Sequence, residues 1–243
     1  MYLALGTWPD IAYAINRSAQ SAQEPKPKHW TTIKWVFHYL KGTWNNTLTY
    51  KGAEELLNKN LNIFCNANWA GGLDRKFTSG YVITIAGGAV AWSSKKQASV
   101  ALSTAEAGYI SAMHAAKQVL WHCSLFWEFK IDLPTNSTIF SDNQAAIAIA
   151  HHPEFHACTK HIDILYHFPR DLVRSGTLNL VYVNTHQNIA DLFWKGLSVT
   201  TYEQKGNLTA CTCVQYWASL TVIAWQSSNS SVKFQANVQV RDA

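Results

Sequence analysis

The order in which the hydrophobic period changes between residues 61 and 197 constrains this chain more than any other feature. "LNIFCNA" (61–67) reads as a buried strand, because Ile63 and Phe64 favour extended backbone. "SGYVITIAGGAVAWSS" (79–94) is two strand-like runs around Gly87-Gly88, a permissive turn pair for a hairpin. A helix is expected over about 104–130, longer than strands run. "TIFSD" (138–142) reads as a strand, and "NQAAIAIAH" (143–151) begins a helix at its end. "TKHIDILYHFPRDLVRSG" (159–176) is basic and helical, with Pro169 interrupting it. "LNLVYVN" (178–184) is a fifth strand, and "NIADLFWKGL" (188–197) a final short helix. Three antiparallel strands, a helix, then strand–helix–strand–helix predict an α/β fold: a mixed five-stranded sheet flanked by helices.

The first fifty residues differ. "TWPDIAYAINRSAQ" (7–20) reads as a helix after Pro9, which suits a first helical turn. "EPKPK" (24–28) breaks it. "HWTTIKWVFHYLKGT" (29–43) is amphipathic, with Trp30, Ile33, Val36, Phe37 and Leu40 at helical spacing. By itself this is a helical hairpin that only packs. Residues 51–60 are polar and read as a linker.

Composition narrows the classes. With 48% hydrophobic residues, the 243-residue chain can bury a sizeable core. A net charge of +5 is compatible with nucleic acid. The five cysteines (65, 123, 158, 211 and 213) are odd in number and form no paired CxxC pattern. They read as reduced thiols of an intracellular protein, cytoplasmic or nuclear. No signal-peptide pattern opens the chain, so secretion is not expected. The apolar stretch "VQYWASLTVIAW" (214–225) is shorter than the ~20 residues a membrane span needs.

Two carboxylates stand where chemistry would be done. Asp142 ends a strand at a strand–helix junction, and Asp191 lies in the last helix. Acids brought together from distant segments can hold Mg²⁺, and two such ions can clamp a phosphoryl displacement. Each also has a plainer reading: "SDN" is a good helix cap, and Asp191 could be a surface charge. In "NIFCNANWAG" (62–71), two asparagines, Asn66 and Asn68, stand where carboxylates would suggest a metal site.

The wording of these segments resembles the C-terminal part of copia-type retrotransposon Pol polyproteins. The stretches are "TWPDIAYAIN", "HWTTIKWVFHYLKGT", "NANWAGGLDRKFTSGY", "AWSSKKQASVALSTAEAGY", "SDNQAAIA", "TKHIDILYHF" and "YVNTHQNIADLFWKGL", in family order over about residues 1–198. The resemblance implies that residues 1–50 are the tail of a reverse transcriptase and 61–198 an RNase H-like domain. It also implies Mg²⁺ as cofactor, an RNA–DNA hybrid as partner, and an Asp-Glu-Asp-Asp ligand set.

Position by position, the resemblance carries that set only in part. Asp142 and Asp191 match two acids and are the retained candidate catalytic and metal residues. The family's Asp-Ala-Asp-Trp-Ala reads Asn66-Ala67-Asn68-Trp69-Ala70 here, so the first acid is Asn66. The family's Ser-Thr-x-Glu-Ala-Glu-Tyr reads Ser103-Thr104-Ala105-Glu106-Ala107-Gly108-Tyr109. Ser103 and Glu106 have capping-box spacing, with Glu106 expected to reach the Ser103 N–H. A residue two further on points about 200° round the helix. The register of cellular RNase H favours position 108, which makes the catalytic glutamate Gly108.

Three readings follow. The first is an RNase H fragment without activity. The second is a working nuclease using Glu106, Asp142 and Asp191. The third is a non-catalytic module binding RNA–DNA hybrids or a host partner. Arg75, Lys76, Lys95, Lys96, Lys160, Arg170 and Arg174 are candidate phosphate contacts. His186 in "NTHQN" is a candidate product-release histidine by the same resemblance, or a solvated loop residue. His151, His152, His156 and His161 cluster without a zinc spacing. From about residue 199 the resemblance stops, and 199–243 reads as a poorly ordered tail.

Overall fold

The computed structural model describes residues 1–45, 47–50, 61–69, 76–131, 137–151, 163–197, 201 and 205. The expected linker (51–60) and the tail beyond 205 lie outside the described residues. Helices α1 (Tyr2–Gly6), α2 (Ala12–Ala19) and α3 (Pro27–Gly42) come first, with a 3-10 turn at Pro9–Ile11. Strands β1 (Asn62–Trp69), β2 (Phe77–Ile85) and β3 (Gly88–Lys96) follow. Then come α4 (Thr104–Glu128), β4 (Ser137–Ser141), α5 (Gln144–His151), α6 (Asp163–Arg174) and β5 (Leu178–Tyr182). The last described element, Ile189–Phe193, is a single 3-10 turn within the expected final short helix.

The five strands form one sheet in the order β3-β2-β1-β4-β5. The β1–β2 and β2–β3 pairs are antiparallel, and β1–β4 and β4–β5 are parallel. This is the mixed five-stranded α/β sheet that the sequence pattern predicts. The hairpin turn is one residue earlier than expected: Ala86 (φ 50°) and Gly87 (φ 78°) form it, while Gly88 already pairs with Ile85. Two consecutive left-handed residues match the twist of the flanking strands, which fixes this register.

The alternation of β1 sends its side chains to two cores. Ile63 and Cys65 join Tyr109, Ala112, Ala116 and Val119 of α4, with Ile139, Leu178 and Leu180 from the neighbouring strands. Phe64 faces the other way, where Val82 and Ala89 meet Ile11, Val36, Tyr39, Ile189 and Phe193. Residues of the first fifty, from Ala4 to Leu48, are therefore packed into the sheet's second core. In α3 the buried positions are Val36 and Tyr39, while Trp30 and Phe37, expected on the apolar face, are exposed. Tyr39 donates its hydroxyl to the buried carboxylate of Asp10, tying α3 to the turn that precedes α2.

Two contacts place the end of β1. Ser111, fully buried on α4, donates to the carbonyls of Asn66 (2.8 Å) and Gly80 (3.2 Å). Gly80 sits opposite Asn66 in the ladder, and a Cβ there would lie 2.8 Å from the Phe193 Cβ and 3.0 Å from the Ala190 carbonyl oxygen. The missing side chain lets the 189–193 turn lie flat against the sheet. Gly80→Ala should push that turn away and lower stability by about 1–3 kcal/mol, read as the urea midpoint.

Candidate active site

Asn66 and Asp142 lie at the same end of two adjacent parallel strands, and the 189–193 turn brings Asp191 to them. The Asn66 side chain joins all three. Its Oδ1 accepts from the Ala67 N–H at 2.7 Å. Its Nδ2 therefore faces the acids and donates to Asp142 Oδ2 (3.1 Å) and Asp191 Oδ1 (3.0 Å). The reverse orientation would set a carbonyl against two carboxylates, which electrostatics forbids.

The remaining carboxylate oxygens are also taken. Asn188, fully buried, donates from Nδ2 to Asp142 Oδ1 and to the Cys65 carbonyl, both at 3.2 Å. Its own Oδ1 caps the 189–193 turn by accepting from Ala190 N–H at 3.1 Å. Asp191 is 1% exposed. Its Oδ1 also accepts from the Trp194 indole at 3.1 Å, and its Oδ2 meets the ammonium groups of Lys195 and Lys205, each at 2.8 Å. Both lysines thus meet Asp191, Asp142 is held by the two amides, and all four carboxylate oxygens accept hydrogen bonds. Burial raises the neighbouring Cys65 thiol to about 12, with the Asp142 charge adding to the rise against a hydrogen bond from Ser141.

The other positions named from sequence fall as follows. Glu106 is buried and belongs to the cap of α4: its N–H donates to Ser103 Oγ (3.1 Å), and its Oε2 accepts from Leu102 N–H (2.7 Å). The reach is one residue further back than the expected Ser103 N–H. Gly108 faces the start of α5. A Cβ there would lie 2.7 Å from Asn143 Nδ2. That amide bonds the Thr104 carbonyl, while Asn143 Oδ1 caps α5 through Ala146 N–H. Asn66, Asp142, Asn143, Trp194 and Lys195 line an open cleft of about 510 Å³.

Arg170 is a correction. It is 3% exposed and donates to the Ile149 carbonyl, so it joins α6 to α5 instead of facing a phosphate. Lys95 and Arg174 are exposed, and Lys76 and Lys96 are half-buried. Arg75, Lys160, His152, His156 and His161 lie outside the described residues. His186 is exposed in the turn after β5, its N–H on Asn184 Oδ1, and His151 contacts the Leu180 carbonyl. Lys95 and Lys117 flank His114 in a groove of about 200 Å³. Burial, and then these two lysines, hold His114 below its ordinary 6.5.

Sequence reasoning missed Asn188, Trp194, Lys195 and Lys205 as members of the site. Asn188 carries the signal Asn-x-x-Asp, which reads locally as a cap. Lys205 carries none.

A divalent ion of the Mg²⁺ type needs free anionic oxygens. Here Asn66 offers an NH₂ group, and the aspartate oxygens are already hydrogen-bonded or ion-paired. Among the described residues no three His, Cys, Asp or Glu side chains come together as a metal site. The residues present do not fit the two-ion site that the resemblance implies.

The sheet order and its flanking helices define an α/β fold of the ribonuclease H-like type. No family model matches the chain. It is 35% identical over 204 residues to the retrovirus-related Pol polyprotein from transposon TNT 1-94 of Nicotiana tabacum, and 39% identical over 203 residues to that from transposon RE1 of Arabidopsis thaliana. These matches cover 84% and 83% of this chain. The chain belongs to the family of retrovirus-related Pol polyproteins of copia-type transposons. It spans only 15% and 14% of those two relatives. A 124-residue match, 39% identical, covers half of this chain and 84% of the secreted RxLR effector protein 161 of Plasmopara viticola. Among solved structures, LC11-RNase H1 in complex with an RNA/DNA hybrid is 14% identical, with a TM-score of 0.38 over 55% of this chain and 93% of that one. The N-terminal RNase H domain of rv2228c from Mycobacterium tuberculosis, a fusion with maltose binding protein, is 13% identical, with a TM-score of 0.39 over 55% and 91%. No helix among the described residues is long and apolar enough to cross a membrane.

Two outcomes follow for the site. Asn188→Ala removes a cap and leaves an Asp142 oxygen and the Cys65 carbonyl short of a donor. It should cost about 1–3 kcal/mol in chemical denaturation. His114 binds its proton more weakly folded than unfolded. Its contribution is therefore complete above 6.5 and shrinks as pH falls below that value. His114→Gln should flatten the acid side of the stability profile, read as the urea midpoint at successive pH values.

Proposed function

We propose that this chain is the RNase H-derived part of a transposon Pol polyprotein and does not cleave the RNA of an RNA–DNA hybrid. On this reading, residues 1–50 are the end of the reverse transcriptase and 61–198 the RNase H-like domain. The observation that carries it is the Asn66 amide donating to both Asp142 and Asp191. A site for two-metal phosphodiester hydrolysis needs an anion where this donor stands. Glu106 does not supply one, since its Oε2 holds the start of α4. Incubation of the purified chain with an RNA–DNA hybrid should leave the RNA intact with Mg²⁺ or Mn²⁺. Metal-dependent cleavage lost on Asp142→Asn would sink the proposal.

Hybrid binding without cleavage is favoured by the groove between Lys95 and Lys117. Phosphate contacts release counterions, so retention of a labelled hybrid should fall as salt rises and weaken further in Lys95→Ala/Lys117→Ala. Retention that is indifferent to both would exclude this groove as the binding face.

A further inference from the structure

Lys205 carries no sequence signal of a role at the site, yet its side chain is 2% exposed and enters the site. Its ammonium donates to the carbonyls of Thr185 (2.6 Å) and Asn188 (2.7 Å) and to Asp191 Oδ2 (2.8 Å). An ammonium has three protons, and each has an acceptor here. Two carbonyls and a carboxylate are also the hard-oxygen set that a small cation takes. A buried charge that lacked such pairing would not stay buried. Lys195, by contrast, approaches the same Asp191 oxygen from the solvent side, with 31% of its side chain exposed, and lies over the Trp194 ring.

We propose that Lys205 is a tethered cation that stands in for a metal ion at this site. It balances Asp191, fastens the loop from Thr185 to Asn188, and bars a free cation from the oxygens it holds. The proposal rests on the reading that the site has lost its ions, and it adds the group that replaced them. A corollary separates the two. Restoring the acid at position 66 is not enough for metal binding, because the new carboxylate joins a cluster whose cation is already in place.

The test has two arms. In the first, thermal unfolding is followed with Mn²⁺ and with chelator. The unmodified chain and Asn66→Asp should keep their midpoints, whereas Asn66→Asp/Lys205→Ala should gain a Mn²⁺-dependent rise. An equal rise in Asn66→Asp alone would overturn the proposal, as would a folded double variant that ignores Mn²⁺. The second arm needs no variant. The native chain is acetylated at its amines and read residue by residue in a mass spectrometer. Lys205 should react at least about tenfold more slowly than exposed Lys28, since it must open before it reacts. Reaction at the same rate would overturn the proposal while leaving the cleavage result untouched.

Discussion

The interaction on which the site depends is the hydrogen-bonded bridge from the Asn66 amide to two aspartates on different segments. Two carboxylates this close repel each other unless something positive or donating lies between them. Here a neutral amide does it, helped by Asn188 on one acid and by an indole and two ammonium groups on the other. Side chains therefore join the loop after β5 and the 189–193 turn to the ends of β1 and β4, beyond what the backbone ladder holds.

That bridge has structural conditions. Gly80 must lack a side chain for the turn carrying Asp191 to approach the sheet. Ser111 must hold the Asn66 carbonyl from the opposite face. Both belong to the scaffold, and neither depends on whether position 66 carries an acid or an amide. The fold can keep its shape while the chemistry of the site changes. Gly108 illustrates the complementary loss. With no side chain there, Asn143 fills the space and serves as the cap of α5. A glutamate at 108 would have to displace that amide before reaching the cleft.

Much of the architecture was legible in the sequence. The period-2 runs around Ile63, Val82 and Ile139 and the long helical run from Thr104 determined a mixed five-stranded sheet flanked by helices, because the two periods cannot be exchanged. Gly-Gly is permissive at either register of the hairpin turn, and only the β2–β3 pairing selects Ala86-Gly87. The α3 face is ambiguous in the sequence for a related reason. Trp30 and Phe37 fit the helical stripe as well as Val36 does, but the sheet meets the stripe through Val36 and Tyr39.

For the site, the sequence by itself determined an amide at 66 and no side chain at 108. It also determined that Asp142 and Asp191 remain. Only the tertiary structure decided which groups meet those acids. Lys205 is 14 residues from Asp191 in a segment without periodicity, and Asn188 reads as an ordinary cap until the fold brings Asp142 beside it. Arg170 shows the same limit in reverse, as a cation that looks free for phosphate until two helices close over it. Local sequence fixes period, caps and turn chemistry through short-range sterics. Which donor meets which acid depends on contacts between distant segments, and those exist only once the sheet and its two cores have formed.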